Sequence, residues 1–89
     1  MAAPAAKPRD RLKVKVFSPY ETFFEGSAVS LSAANKTGPF DILYRHSSFL
    51  STLLPGQIKV DTGFDIIKIE VANGIIRVYD NVVVVFANV

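Results

Sequence analysis

The chain has a single histidine, His46, which stands beside Ser47 and Ser48 and follows the carboxylate of Asp41 by five residues. A hydroxyl nucleophile, a base and an orienting carboxylate are the parts of a catalytic triad, but a triad depends on geometry in the fold rather than on adjacency in sequence. The glycines that flank a nucleophile held on a strained strand-to-helix turn do not occur around Ser47 or Ser48. We therefore interpret His46 as an exposed corner histidine and predict that the chain is not an enzyme.

Metal and cofactor sites have equally little support in the sequence. The chain contains no cysteine, so it can form neither a disulfide nor a thiolate metal site. Its aspartates are scattered without the spacing of a calcium-binding loop, and its five glycines form no phosphate-binding motif. We expect no cofactor, no metal ion and no small-molecule substrate.

The charge distribution argues against a nucleic-acid partner. Half of the ten basic residues, among them Lys13 and Lys15, lie within the first 15 positions. From residue 16 onward five basic residues stand against seven acidic ones, a net charge of −2. A folded part with this balance lacks the basic surface of a nucleic-acid binder. No apolar run approaches the roughly 20 residues of a membrane-spanning helix.

Hydrophobic periodicity is that of β-strands. Leu12, Val14 and Val16 alternate with other residues, which places one apolar row inward. Similar short runs follow at near-regular spacing, and no segment has a helical period. The predicted strands lie at 12–17, 22–26, 28–33, 38–43, 49–54, 57–60, 64–72, 75–79 and 82–86. This pattern is typical of an all-β sandwich or barrel. We predict a small β-sandwich of eight to ten short strands in two sheets over residues 12–89, after a flexible tail at 1–11.

Two dipeptides predict the turns of the C-terminal third. Asn73-Gly74 is the strongest hairpin signal, because a type I′ turn needs positive φ at both central residues. Asp80-Asn81 is a weaker one, and together they predict a three-stranded meander. The run from Val82 to Phe86 does not alternate, so we expect this strand to be covered on both faces, by the domain itself or by a partner on one side.

The stretch from Gly38 to Gly56 resembles the signature of the epsilon subunit of F-type ATP synthases. That signature runs Gly-x-Phe/Leu-Gly-Ile-Leu/Tyr-x-x-His-x-x-hydrophobic-Leu-Thr-x-hydrophobic-x-Pro-Gly. Segments 14–19, 24–26, 71–78 and 81–84 are similar to the opening and closing strands of the family. The resemblance therefore covers roughly residues 12–89. The chain departs from the pattern at Pro39, at Asp41 and at Tyr44-Arg45.

The resemblance implies a non-catalytic subunit of the central stalk that couples the gamma subunit to the c-ring during ATP synthesis. Such a subunit is peripheral to the energy-coupling membrane, on its cytoplasmic face or in the equivalent organelle compartment. The residues that match the ring-facing loop of the family are Gly38, Pro39, Phe40, Tyr44, Arg45 and His46. Ser18 and Ser51 match positions near the gamma contact.

Two further expectations concern regulation and an alternative function. Members of the family commonly continue into a helical hairpin that regulates hydrolysis, and this sequence stops at Val89. From this we expect a subunit that couples but does not inhibit. The alternative is a free-standing β-sandwich that binds a peptide or a glycan through an exposed strand edge or through the corner at residues 44–46.

Overall fold

The computed structural model of the protein describes residues 11–88, and all of the regular secondary structure in this range is β-strand. The nine strands of residues 11–88 are β1 (Leu12–Phe17), β2 (Thr22–Ala28), β3 (Ser30–Asn35), β4 (Gly38–Leu43), β5 (Phe49–Leu53), β6 (Gly56–Asp61), β7 (Ile66–Val71), β8 (Asn73–Tyr79) and β9 (Val82–Asn88). The predicted tail lies outside the described residues except for Arg11. The guanidinium of Arg11 donates a hydrogen bond to the carbonyl oxygen of Thr62.

The strands of residues 11–88 form two sheets. The five-stranded sheet has the order β2-β1-β9-β8-β5, and the four-stranded sheet has the order β4-β3-β6-β7. Strands β1 and β9 run parallel, and the other pairs are antiparallel. The all-β sandwich predicted from the sequence is confirmed.

Alternate residues of the strands fill the space between the sheets. In β1 the side chains of Leu12, Val14 and Val16 are buried, and the intervening lysines are exposed. Both sheets contribute to one apolar cluster, since side chains alternate between the two faces of a strand. The largest fully buried side chains are Leu12, Leu31, Ile42, Ile58, Ile76, Val16, Val60, Val78, Val83 and Val85. The sandwich therefore has one continuous core.

The hairpin predicted at Asn73-Gly74 is wrong. Both residues belong to β8, and β7 and β8 lie in different sheets, so the chain crosses between the sheets at Ala72. The three-stranded meander is wrong for the same reason. Gly74 has no positive φ; instead, a Cβ atom at Gly74 would lie 2.5 Å from the carbonyl oxygen of Phe86. Glycine is needed here because two backbones approach closely.

The weaker turn signal marks a real hairpin. Asp80 and Asn81 have φ angles of 47° and 63° and connect β8 to β9, where Tyr79 pairs with Val82. Positive φ at both central residues of a two-residue loop is the geometry of a type I′ turn. The prediction of a turn at Asp80-Asn81 is confirmed.

The connections gather at two opposite ends of the sandwich. The end that we call the Arg45 end carries the connections at 44–48, 62–65 and 80–81. The end that we call the Pro39 end carries the connections at 18–21, 36–37 and 54–55, and β4 begins there. In the four-stranded sheet, strand pairing places Ser30 opposite both Leu43 and Asp61, and Asn35 opposite Gly38. The five-stranded sheet is aligned with it by the hydrogen bonds from Arg45 to Asn81 and from Leu54 to Ala34, and by the parallel pairing of β1 with β9.

Candidate functional site

The six residues that match the ring-facing loop do not form one loop. Gly38 and Pro39 begin β4 at the Pro39 end, whereas Tyr44, Arg45 and His46 follow β4 at the Arg45 end. An extended strand rises about 3.3 Å per residue, so roughly 20 Å separates the start of β4 from the corner after it. Phe40 lies on the strand between the two groups. The residues therefore lie along one edge strand and at its two ends.

The corner at the Arg45 end is held by backbone hydrogen bonds. Arg45 has a φ of 68°, and its amide donates to Oδ1 of Asn81 at 2.7 Å. The amide of His46 donates to the carbonyl oxygen of Leu43 at 3.0 Å, which closes a four-residue turn. The carbonyl oxygen of Asn81 in turn accepts from the amide of Lys13 at 2.9 Å. Asn81 thus connects this corner to the first strand of the other sheet.

Aromatic rings cover the same corner. The centroid of the Phe49 ring lies 5.2 Å from that of Phe40 and 5.7 Å from that of His46. The guanidinium of Arg45 stands 5.7 Å from the centroid of the Tyr44 ring, within the range of a cation–π contact. These contacts hold the ring of His46 against Phe49, so His46 is a half-buried corner residue and not the exposed one that was predicted.

The geometry around His46 is not that of a triad. Its Nδ1 lies 2.8 Å from the carbonyl oxygen of Ser47, so the nitrogen that would face an orienting carboxylate in a triad faces the backbone. Asp41, on β4, instead accepts a hydrogen bond from the hydroxyl of Ser32 at 2.6 Å. Among residues 11–88, no group of three or more histidine, cysteine, aspartate or glutamate residues stands close enough to hold a metal ion.

Ser18 closes the turn between β1 and β2. It is only 7% exposed, and its hydroxyl oxygen accepts hydrogen bonds from the amides of Tyr20 and Glu21 at 3.2 Å each. Its own amide donates to the carbonyl oxygen of Glu21 at 2.8 Å. The Ser18 side chain therefore stabilises the turn, while Tyr20 at the tip of the turn is almost fully exposed.

Ser51 links the two sheets. Its hydroxyl oxygen accepts a hydrogen bond from Nδ2 of Asn35 on β3 at 3.0 Å, and its hydroxyl donates to the carbonyl oxygen of Thr52 at 2.9 Å. The amide of Leu54 donates to the carbonyl oxygen of Ala34 at 3.1 Å beside it. The gamma contact expected near Ser18 and Ser51 stays a prediction.

The sequence interpretation missed an apolar surface on the five-stranded sheet. We call it the outer face; it consists of the residues of β1, β9, β8 and β5 that point away from the core. Its large apolar side chains are Phe86, Ile75, Tyr79 and Leu50, which are 38%, 49%, 42% and 71% exposed. The non-alternating run from Val82 to Phe86 was the available signal. The strand is central, as its composition predicted, but its second face is only partly covered.

Comparison with known sequences identifies the fold. Residues 11–89 match the family model described as ATP synthase, Delta/Epsilon chain, beta-sandwich domain. The chain belongs to this family. The ATP synthase epsilon chain of Vesicomyosocius okutanii subsp. Calyptogena okutanii is 32% identical over 77 residues, which cover 86% of this chain and 56% of that protein. The ATP synthase epsilon chain of Francisella tularensis subsp. holarctica is 37% identical over 67 residues, or 75% of this chain and 46% of that protein.

The resemblance to the epsilon family that the sequence showed is thus confirmed. This member of the delta/epsilon family spans about half the length of those two relatives. No helix within residues 11–88 is long and apolar enough to cross a membrane.

Two solved structures share the fold of this chain. A chain from the central stalk and c-ring structure of the Tetrahymena thermophila mitochondrial ATP synthase superposes with a TM-score of 0.78, over 88% of this chain and 63% of that one. A chain from the Euglena gracilis mitochondrial ATP synthase superposes with a TM-score of 0.82, over 98% and 59% respectively. Both are 16% identical in sequence, so they establish the shared fold alone.

Proposed function

We propose that this chain is a non-catalytic central-stalk subunit of a proton-translocating F-type ATP synthase, where it couples the gamma subunit to the c-ring. The match of residues 11–89 to the delta/epsilon β-sandwich family carries the proposal, with relatives named ATP synthase epsilon chain. The same match favours the stalk over a free-standing module for a peptide or a glycan. In this role the chain is peripheral to the energy-coupling membrane, on its cytoplasmic face or in the equivalent organelle compartment.

The build of the sandwich suits a part that transmits torque. A coupling element must not deform between its two contacts, and close-packed interiors have low compressibility. The core joins both sheets, and the hydrogen bonds of Asn81 and of Ser51 fix the connections at the edges of the sandwich. These bonds support the proposal because they would keep the two ends of the molecule in a fixed relation.

The proposed ring contacts can be tested one end at a time. If Pro39 and Arg45 both face the c-ring, the β4 edge between them must lie along the ring surface. The natural chain has no cysteine, so the variants Pro39→Cys and Arg45→Cys each introduce a unique thiol. We expect both thiols to cross-link to the ring subunit in assembled enzyme. Cross-linking from one position only would restrict the ring contact to that end of the sandwich.

Affinity purification from the organism's own membranes tests the proposed function as a whole. A tagged chain is expressed in its own cells, the membranes are solubilised mildly, and co-purifying proteins are identified by mass spectrometry. We expect the gamma subunit and the ring subunit among them. Recovery of the chain without either protein, from membranes that contain assembled ATP synthase, would contradict the proposal.

A further inference from the structure

We propose that the outer face of the five-stranded sheet docks an α-helix of a partner protein whose apolar stripe is bordered on both sides by acidic side chains. The inference goes beyond the proposed function, because none of the residues matched to the ring or gamma contacts belongs to this face. It also does not depend on which subunit supplies the helix.

The floor of the docking surface is apolar. Val82, Val84 and Phe86 point outward from β9, the middle strand of the sheet, and all three are partly accessible. Strand pairing places Ile75 of β8 beside Phe86, and the ring of Phe17 on β1 contacts that of Phe86 with centroids 5.5 Å apart. The result is a continuous apolar strip along β9 and across its neighbours.

Basic side chains border this strip on both sides. Val84 pairs with Lys15 of β1 on one side and with Arg77 of β8 on the other, and Val82 pairs with Lys13. All three basic residues are exposed. The acidic groups nearby are Glu25, which pairs with Lys15 at the far side of β1, and Asp80 in the β8–β9 turn. The border of the strip itself is therefore positive, and its complement is an apolar stripe with acidic edges.

The cations are held over aromatic rings of the same face. Nζ of Lys15 lies 5.3 Å from the centroid of the Phe17 ring, and the guanidinium of Arg77 lies 4.9 Å from that of Tyr79. Such contacts orient the long basic side chains along the border. The charges thus stand beside the β9 strip rather than across it.

The shape of the surface favours a helix. A groove of about 430 Å³ runs over β2, β1 and β9, with Lys13, Lys15, Glu25 and Val84 among its lining residues. A sheet buries an apolar face against a second layer, and a helix is the layer that places one apolar stripe on it with polar flanks. A strand would add to a sheet edge instead of a face. The groove overlaps the β1 side of the apolar strip, and no residue of β8 lines it.

Within residues 11–88, the outer face of the four-stranded sheet has no comparable apolar strip along its middle. The outward residues of β3, β6 and β7 include Ser32, Lys59 and Lys68, which lie in register across the four-stranded sheet. The middle of that face is polar, as expected for a sheet face in water. Its exposed large apolar side chains, Leu43 and Ile66, lie in one row at the Arg45 end and are separated by Ser30 and Asp61.

Two synthetic helical peptides test the inference. They share one length and one leucine stripe, and differ in having glutamate or lysine on both flanks. Each is titrated into the isotopically labelled full chain, and amide shifts report the site. We expect the glutamate peptide to shift amides of β1, β8 and β9. The lysine peptide should bind at least about tenfold more weakly.

Charge reversal supplies the matched variants. The double variant Lys15→Glu with Arg77→Glu is expected to reverse the preference between the peptides. The control variant Lys59→Glu with Lys68→Glu makes the same charge change on the other outer face, and it should keep the preference of the natural chain. Dispersed amide spectra of all variants verify that they fold.

Several results would overturn the inference. These are no saturable binding of the glutamate peptide, equal binding of both peptides, shifts located away from the outer face, or reversal of preference in the control variant. Dimerisation of the chain through this face, seen by sedimentation, would assign the face to a second copy. Preferential binding of phosphatidylglycerol vesicles would assign it to a lipid surface.

Discussion

Replacement of Gly74 by alanine is expected to destabilise the sandwich because of one close backbone approach. A Cβ atom at Gly74 would meet the carbonyl oxygen of Phe86 at 2.5 Å, and Cα of Ala87 at 3.5 Å. The first distance is well inside van der Waals contact, and the atom concerned belongs to the backbone of a central strand. The strand cannot yield as a flexible side chain would, so β8 and β9 must separate locally.

Two opposing contributions set the change in the free energy of unfolding. Forcing one extra carbon into a packed region costs about 1–3 kcal/mol. Alanine also restricts the unfolded chain more than glycine does, which stabilises the folded state by about 0.4–1 kcal/mol. We therefore expect Gly74→Ala to lower the free energy of unfolding by about 1.5 kcal/mol. Gly26→Ala is the matched control, since its Cβ would stand 3.5 Å from the Phe24 ring at an ordinary contact distance and its φ is not positive.

Urea denaturation followed by circular dichroism measures both variants. We expect a lower midpoint for Gly74→Ala with an unchanged slope. For Gly26→Ala we expect a free energy of unfolding within about 0.5 kcal/mol of that of the natural chain, or above it. Equal stability of the two variants would refute the reasoning, since it would mean that the β8–β9 approach does not determine the residue at position 74.

Three further predictions use the same assay. Asn81→Gly should lower the free energy of unfolding by about 1 kcal/mol, because the hydrogen bond from the Arg45 amide is lost. Asn81→Ala should lower it by about 2 kcal/mol, because alanine is also strained at the positive φ. Equal losses for the two variants would contradict the contribution assigned to φ. Ser18→Ala should cost about 1 kcal/mol by leaving two turn amides without their acceptor, whereas the exposed Ser27→Ala should cost almost nothing. Ile76→Ala should cost about 3 kcal/mol by opening a cavity in the core, well above the loss for its half-exposed neighbour Ile75→Ala, and a comparable loss from both would contradict the assigned faces of β8.

The sequence was sufficient for the strands because alternation is a local property. Leu12, Val14 and Val16 are all buried, as their spacing predicts, and the turn at Asp80-Asn81 has the expected positive φ angles. The error at Asn73-Gly74 has a physical cause. A dipeptide reports which backbone angles are permitted, but it does not report which sheet the next strand joins.

The candidate sites needed pairing information that the sequence lacks. Gly38 and Arg45 are close in sequence, yet an extended strand between them places them at opposite ends of the sandwich. The residues of the outer face are instead far apart in sequence and close in the fold. Lys15, Val84 and Arg77 are distant in sequence and become neighbours only through the register of β1, β9 and β8.

Direct binding to the gamma subunit of the same organism tests the stalk assignment most plainly. The purified chain is titrated into purified gamma subunit in a calorimeter, with the beta subunit as the comparison protein. We expect saturable binding to gamma with a Kd of about 1 μM or tighter, and no binding to beta. Absence of heat at more than one temperature, with a folded gamma subunit and about 100 μM chain, would contradict the assignment.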